Sequence, residues 1–145
     1  MNRTEKTIQL LQIGSNCSQA ILAVFGEPHG VDVDLADRLG RPLGAGLGRM
    51  GQVCGAVSSA IVVLGLAQKN GLDEAEARND LARTAQELAA RFKGLHGTIM
   101  CKDLLGADIS TQSGMARIKE EKLVPKLCPV FVRDAADILS EFLPE

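Results

Sequence analysis

The chain has 145 residues and a mass of 15.4 kDa, enough for one domain whose core needs no disulfide staples. Sixteen Lys and Arg against eighteen Asp and Glu leave a formal charge of -2, with four Phe and no Trp or Tyr. That balance lacks both the basic footprint and the stacking aromatics of a nucleic-acid binder.

The hydrophobic pattern predicts an all-α fold: one compact single-domain bundle over 1–145, with about five to seven helices. The first residues carry no apolar run and no small-x-small cleavage signature, which predicts no signal peptide. Ile8 and Leu11 predict a first helix, interrupted by Gly14-Ser15-Asn16, and a second follows from Cys17 to Phe25. Val31 to Asp34 alternates too briefly for a strand, and Asp34 to Leu39 reads as a short helix. Gly44, Gly46, Gly48 and Gly51 mark a glycine-rich loop before Val53 to Leu66, which is apolar on most sides and reads as the central buried helix. The apolar stretch from Val53 to Ala67 is shorter than the about 20 residues of a spanning helix, so no membrane insertion is expected.

From Asp73 to Phe92, Leu81, Ala85, Leu88 and Phe92 form an apolar stripe, with Asp73 as N-cap and closure near Gly94. Short helices are predicted over Met100 to Leu105 and Gly114 to Glu121. The last helix is expected to run from Pro129, in the first helical position, to Phe142. These features predict a reducing cytoplasm, where cysteines serve as thiols, ligands or catalysts rather than as structural disulfides.

Gly46-Leu47-Gly48-Arg49-Met50-Gly51 spells GxGxxG. The motif binds a pyrophosphate only between a strand and a helix. Here a helix and Arg41-Pro42-Leu43 precede it, so the glycines are read as allowing close backbone approach. The chemistry rests instead on Cys17, Cys54, Cys101 and Cys128, spaced by 37, 47 and 27 residues. No CxxC pair is present, which excludes the local spacings of thioredoxin-like sites, zinc fingers and bacterial ferredoxins.

Each cysteine is predicted at or near a helix start, where free amides and the helix dipole favour thiolate. Each also shares a face with apolar residues: Cys17 with Ile21 and Val24, Cys54 with Val57 and Ile61, Cys101 with Leu104 and Leu105, Cys128 with Phe131 and Ala135. All four should point inward. Four buried thiolates repel unless a cationic iron or zinc centre neutralises them.

Asn16-Cys17-Ser18-Gln19-Ala20, Gly51-Gln52-Val53-Cys54-Gly55-Ala56, His96-Gly97 before Cys101 with Leu104-Leu105-Gly106 after it, and Cys128-Pro129 with Val132-Arg133-Asp134-Ala135-Ala136 closely resemble the C_GCAxxG_C_C family. The resemblance runs from about Leu10 to Leu139 and implies redox activity. Ser59 stands where the family has its last motif glycine. A similar domain, in split-Soret-type cytochromes, holds an iron–sulfur cluster on its cysteines. This chain has no CxxCH haem site, so the resemblance implies a cluster role without haem.

The expected function is electron transfer or redox sensing by an iron–sulfur cluster, of the [2Fe–2S] type, on Cys17, Cys54, Cys101 and Cys128. One alternative is a thiol–disulfide oxidoreductase with Cys54 as attacking thiol, exposed by the glycine loop. The other is a structural four-cysteine zinc site. The partner would be a redox protein of unknown identity, and the apolar central helix suits packing within a monomer or across a homodimer. His96 reads as a loop histidine bonded to backbone, His29 as a surface turn, and Arg49, Arg133 and Asp134 as solvated charges.

Overall fold

Side-chain caps set most of the helix starts. Asn2 opens α1 (Arg3–Gln12), Asn16 opens α2 (Cys17–Phe25), Asp32 opens α3 (Val33–Leu47), Asp73 opens α5 (Glu74–His96) and Thr111 opens α7 (Gln112–Glu120). In each case the cap oxygen accepts from an amide three residues on, satisfying a donor the helix cannot. Between them lie α4 (Gly55–Leu66) and α6 (Cys101–Leu105), and α8 (Leu123–Phe142) closes the chain. The computed structural model describes residues 1–144. Among the described residues there are eight α-helices and no strand, one helix above the expected range.

The predicted central helix is central. α4 packs against α2, α3, α5 and α8, and Val57, Ala60 and Val63 are fully buried in it. Around it Ile21, Leu22, Phe25, Leu88, Phe92 and Leu139 complete the main core. A second, smaller cluster holds Cys101, Leu105, Ile109 and Ile118, with Leu123 and Leu127 packed on it. Phe92 and Phe131 meet edge-on with ring centroids 6.4 Å apart, a favoured aromatic geometry. Among the described residues no helix is long and apolar enough to cross a membrane.

Three boundaries depart from expectation. α3 runs on from Leu39 to Leu47, losing helical geometry at Gly44. α5 ends at Gly97, left-handed at φ 79, rather than at Gly94, because Gly97 supplies the conformation a C-cap needs. α8 begins at Leu123, so Pro129 and with it Cys128 lie inside the helix rather than at its start. Leu123 and Leu127 extend the apolar stripe of Phe131 backwards onto the second cluster, and that burial outweighs the one backbone bond Pro129 cannot make.

Phe92→Ala should destabilise the protein by about 3–5 kcal/mol, read as a lower urea midpoint with unchanged helicity. Leu95→Ala, at a side chain 62% exposed, should stay within about 0.5 kcal/mol. Equal losses at both positions would contradict this assignment of the core.

Candidate functional site

Every residue of Asn16-Cys17-Ser18-Gln19 does a separate job at the start of α2. Asn16 accepts from the Gln19 amide at 2.8 Å, and the Gln19 side chain accepts from the Asn16 amide at 2.9 Å, closing a capping box. The spare amide hydrogens reach α3: Asn16 Nδ2 donates to the Gly40 carbonyl at 3.3 Å and Gln19 Nε2 to the Asp37 carbonyl at 3.1 Å. Ser18, fully buried, donates to the Gly55 carbonyl at 2.9 Å. This lattice of bonds leaves the Cys17 sulfur against Gly55 at the start of α4. A Cβ on Gly55 would lie 2.6 Å from that sulfur and 2.4 Å from Ser18 Oγ, so only glycine lets α2 and α4 meet here.

The Gly55 carbonyl also accepts from Ser59 Oγ at 2.6 Å. Ser59 is fully buried, and this bond one helical turn back satisfies its hydroxyl. The serine in the family's glycine position therefore fits without an unpaired polar group.

The glycine-rich segment folds as a left-handed turn. Ala45, Gly46, Leu47, Gly48 and Arg49 all have positive φ, from 54 to 69. Ala45, Leu47 and Arg49 each bear the roughly 1–2 kcal/mol that a side chain costs in this conformation. A Cβ on Gly46 would sit 2.4 Å from the Gln52 nitrogen, so the glycine permits the close backbone approach expected of it. No strand precedes the motif, which removes the phosphate-binding geometry.

From this turn the chain enters a short antiparallel pairing that the sequence does not reveal. Val53 pairs with Met100; the Cys54 amide donates to the Ile99 carbonyl at 2.7 Å and the Cys101 amide to the Gln52 carbonyl at 2.6 Å. Successive side chains alternate faces, so Cys54 and Cys101 fall on one face as diagonal neighbours. In regular sheet such positions are about 7–8 Å apart, beyond the ordinary Cα separation of a disulfide. Cys128 joins them from α8.

All four cysteines line one cavity of about 400 Å³. All four are free thiols. Its remaining wall is mostly apolar, including Leu11, Leu105, Ile109, Phe131 and Val132, and no charged side chain or histidine contributes to it. Cys17 and Cys54 pack with the main core, whereas Cys101 and Cys128 belong to the second cluster, so the cavity lies between the two. Four sulfur donors and no carboxylate form a soft ligand set, suited to iron–sulfur or zinc chemistry. Among the described residues no three Cys, His, Asp or Glu side chains form a group able to hold one metal ion.

Burial raises all four thiols above their ordinary value of 9.0: Cys101 to about 11, Cys128 to about 12, and Cys17 and Cys54 upward as well. Desolvation is the main cause at each, reinforced at Cys54, Cys101 and Cys128 by the neighbouring sulfurs. Amides pull the other way at two positions only. At Cys17 the Ser18 side chain acts with the amides of Ala45, Ser18 and Cys17 itself, and at Cys54 the amides of Ala56 and Val57 act. At Cys54 they do so without closing a full cap bond. The expected preference for thiolate is thus overturned for the bare thiols, because an apolar wall costs more than helix-start amides return. Cys54, expected to be exposed by the loop, is 7% exposed.

Two solvated-charge or loop readings also change. His96 is the last residue of α5, and its Nε2 lies 2.7 Å from Asp134 Oδ2 rather than on backbone. The imidazole packs on Phe92 and Phe131, centroids 4.7 and 5.1 Å away, so the pair braces the aromatic wall behind the cavity. Arg49 and Arg133 are exposed, and His29 ends an exposed 3-10 turn, as expected. Asn16, Ser18 and Gln19 were missed as site-builders, although Asn-x-x-Gln is a readable capping-box spacing.

A family model described as "Putative redox-active protein (C_GCAxxG_C_C)" matches residues 15–142. No curated protein and no solved structure matches the chain.

Gly55→Ala should destabilise the fold by about 1–3 kcal/mol, since the added methyl must push Cys17 and Ser18 aside. Gly94→Ala, where a Cβ meets nothing within 4 Å inside α5, should stabilise by about 0.4–1 kcal/mol. Urea titration of both variants checks the contrast.

The raised thiol values also set a pH dependence for the metal-free, reduced protein. As pH rises past 9.0 the unfolded chain releases its Cys101 and Cys128 protons first, while the fold holds them until about 11 and about 12. Their stabilising contribution is therefore full below pH 9 and lost between 9 and about 12. The urea midpoint should fall more steeply over this window in the wild type than in a Cys101→Ala/Cys128→Ala double variant. Parallel slopes would contradict the burial of these thiols.

Proposed function

The chain belongs to the C_GCAxxG_C_C family, and on that premise we propose that Cys17, Cys54, Cys101 and Cys128 together hold an iron–sulfur centre of the [2Fe–2S] type for one-electron transfer or redox sensing. The observation that carries this reading is the convergence of all four thiols, and no other metal-binding side chain, on one cavity of about 400 Å³. A two-iron centre asks the protein for two thiolates per iron. Four cysteines line the cavity, two from each of the packed clusters it lies between, which matches that ligand count. A single zinc ion would need four sulfurs drawn to about 2.3 Å from one point.

When bound, the centre supplies one reversible electron and the positive charge that replaces the thiol protons. The chain does the rest. Cys17 and Cys54 hold one side from the starts of α2 and α4, and Cys101 and Cys128 hold the other from α6 and α8. Leu105, Ile109 and Phe131 keep water from the sulfurs, and the capping bonds of Asn16 and Gln19 fix Cys17 before any ligand arrives.

The dithiol alternative has less support. An attacking cysteine needs a thiolate near neutral pH, and burial pushes Cys101 to about 11 and Cys128 to about 12, with Cys17 and Cys54 raised too. A reducing cytoplasm would keep all four thiols available for assembly. The partner in this reading is another redox protein, not nucleic acid or a bilayer.

Anaerobically purified protein should be brown and carry about two irons and about two acid-labile sulfides per chain, with a visible band bleached by dithionite. Without Trp or Tyr that chromophore stands clear of the protein's own absorption. Each single Cys→Ser variant should lose cofactor content or alter the spectrum. Zinc alone, or a colourless protein that resists reconstitution with iron and sulfide, would overturn the reading.

A further inference from the structure

α4 is apolar all round, yet one of its faces meets solvent. It carries no charged side chain, and its two polar residues, Ser58 and Ser59, both turn their hydroxyls onto the Gly55 carbonyl, at 3.3 and 2.6 Å. A helix of that character is normally covered on every side. Here Val62 and Leu66, one turn apart, remain 37% and 39% exposed.

α3 widens this bare strip. A Cβ on Gly55 would lie 3.1 Å from the Leu43 carbonyl, so α3 and α4 meet at Leu43 and Gly55 and run antiparallel from that point. Counting back along α3 and forward along α4 at equal rise places Leu39 and Leu35 level with the turns of α4 that carry Ser58 and Val62. Leu35 and Leu39, again one turn apart, are 42% and 41% exposed, and exposed Pro42 continues their row. The result is one apolar face across two packed helices, unlike the scattered single residues of an ordinary surface.

We propose that a second copy of this chain covers the α3–α4 face, making the protein a two-fold symmetric homodimer. Charge selects this occupant. Beside the apolar row of α3 runs the row Asp34, Arg38 and Arg41, all exposed, acidic toward the start of the helix and basic toward its end. A two-fold contact sets one surface against itself after a half turn, so it suits a row whose ends differ in sign; a uniformly acidic or basic partner would be repelled at one end. With the axis level with Asp37, Leu35 faces Leu39 of the second copy, and Asp34 lies between Arg38 and Arg41 of the second copy. Val62 and Leu66 enlarge the apolar centre, and the charged row forms its rim, the usual anatomy of an interface. Within one chain Asp34 and Arg38 pair at 3.7 Å in the open, a contact weak enough to exchange. Nothing in this contact depends on the iron–sulfur centre.

The test is sedimentation velocity of the wild-type protein under reducing conditions, from about 1 to about 100 μM, where a moderate interface dissociates. At the upper end it should run at twice the 15.4 kDa chain mass. Leu39→Glu and Val62→Glu, each placing a charge in the apolar centre, should return it to the chain mass with unchanged helicity. Leu95→Glu, at an exposed position near the end of α5, should not. Should either glutamate unfold the chain, Leu39→Ser and Val62→Ser make the same measurement. Asp34→Arg should weaken the dimer about tenfold, and adding Arg38→Asp and Arg41→Asp to it should restore the affinity, since the reversed ends match again. Wild-type protein at the chain mass throughout, a dimer that survives the substitutions at Leu39 and Val62, or a triple variant without rescue would each overturn the inference.

Discussion

Everything at the cavity depends on how closely α2 and α4 approach at Gly55. With no side chain there, the Cys17 sulfur and the Ser18 hydroxyl occupy the space a Cβ would take. The Gly55 carbonyl then ties the helices together, accepting from Ser18 at 2.9 Å and from Ser59 at 2.6 Å. A buried hydroxyl left unpaired would cost about 1–3 kcal/mol, so these bonds hold the approach as well as permit it. Two cysteines 37 residues apart thereby share one wall, and the glycine of the Cys54-Gly55-Ala56 motif has a steric reason.

Against that fixed wall, the other two cysteines come from a part of the molecule with its own small core. The Val53–Met100 pairing and the burial of Leu105, Ile109 and Ile118 hold α6 and α7 in place, while Leu123 and Leu127 dock the beginning of α8. The cavity is the seam between two packed bodies. Its apolar wall explains why the bare thiols stay protonated, and why a cation entering it would gain from every thiolate it creates.

The sequence is most legible where one element decides its own fate. The all-round apolar stretch from Val53 to Leu66, the Asp73 cap and the Gly14-Ser15-Asn16 interruption all appear at or near their expected places, because periodicity and capping are local. The inward faces of the cysteines were readable for the same reason. Legibility fails where two distant segments compete. Pro129 looked like a helix start until Leu123 and Leu127 found a cluster to pack on. Asp134 looked solvated until His96, 38 residues earlier, came within 2.7 Å. The thiolate expectation failed differently: helix-start amides were counted correctly for Cys17 and Cys54, but the apolar wall facing them is a tertiary property and it dominates.

Pro129 has one more effect, on what holds the cavity wall. Lacking an N–H, it leaves the Pro125 carbonyl without its helical partner, and both prolines border the cavity. Lys122, left-handed and without a side-chain cap, begins the same helix. The segment bearing Cys128 is therefore held in the cavity wall by the packing of Leu123 and Leu127 more than by its own backbone ladder at that turn, so side-chain burial, and not helix propensity, positions the fourth thiol.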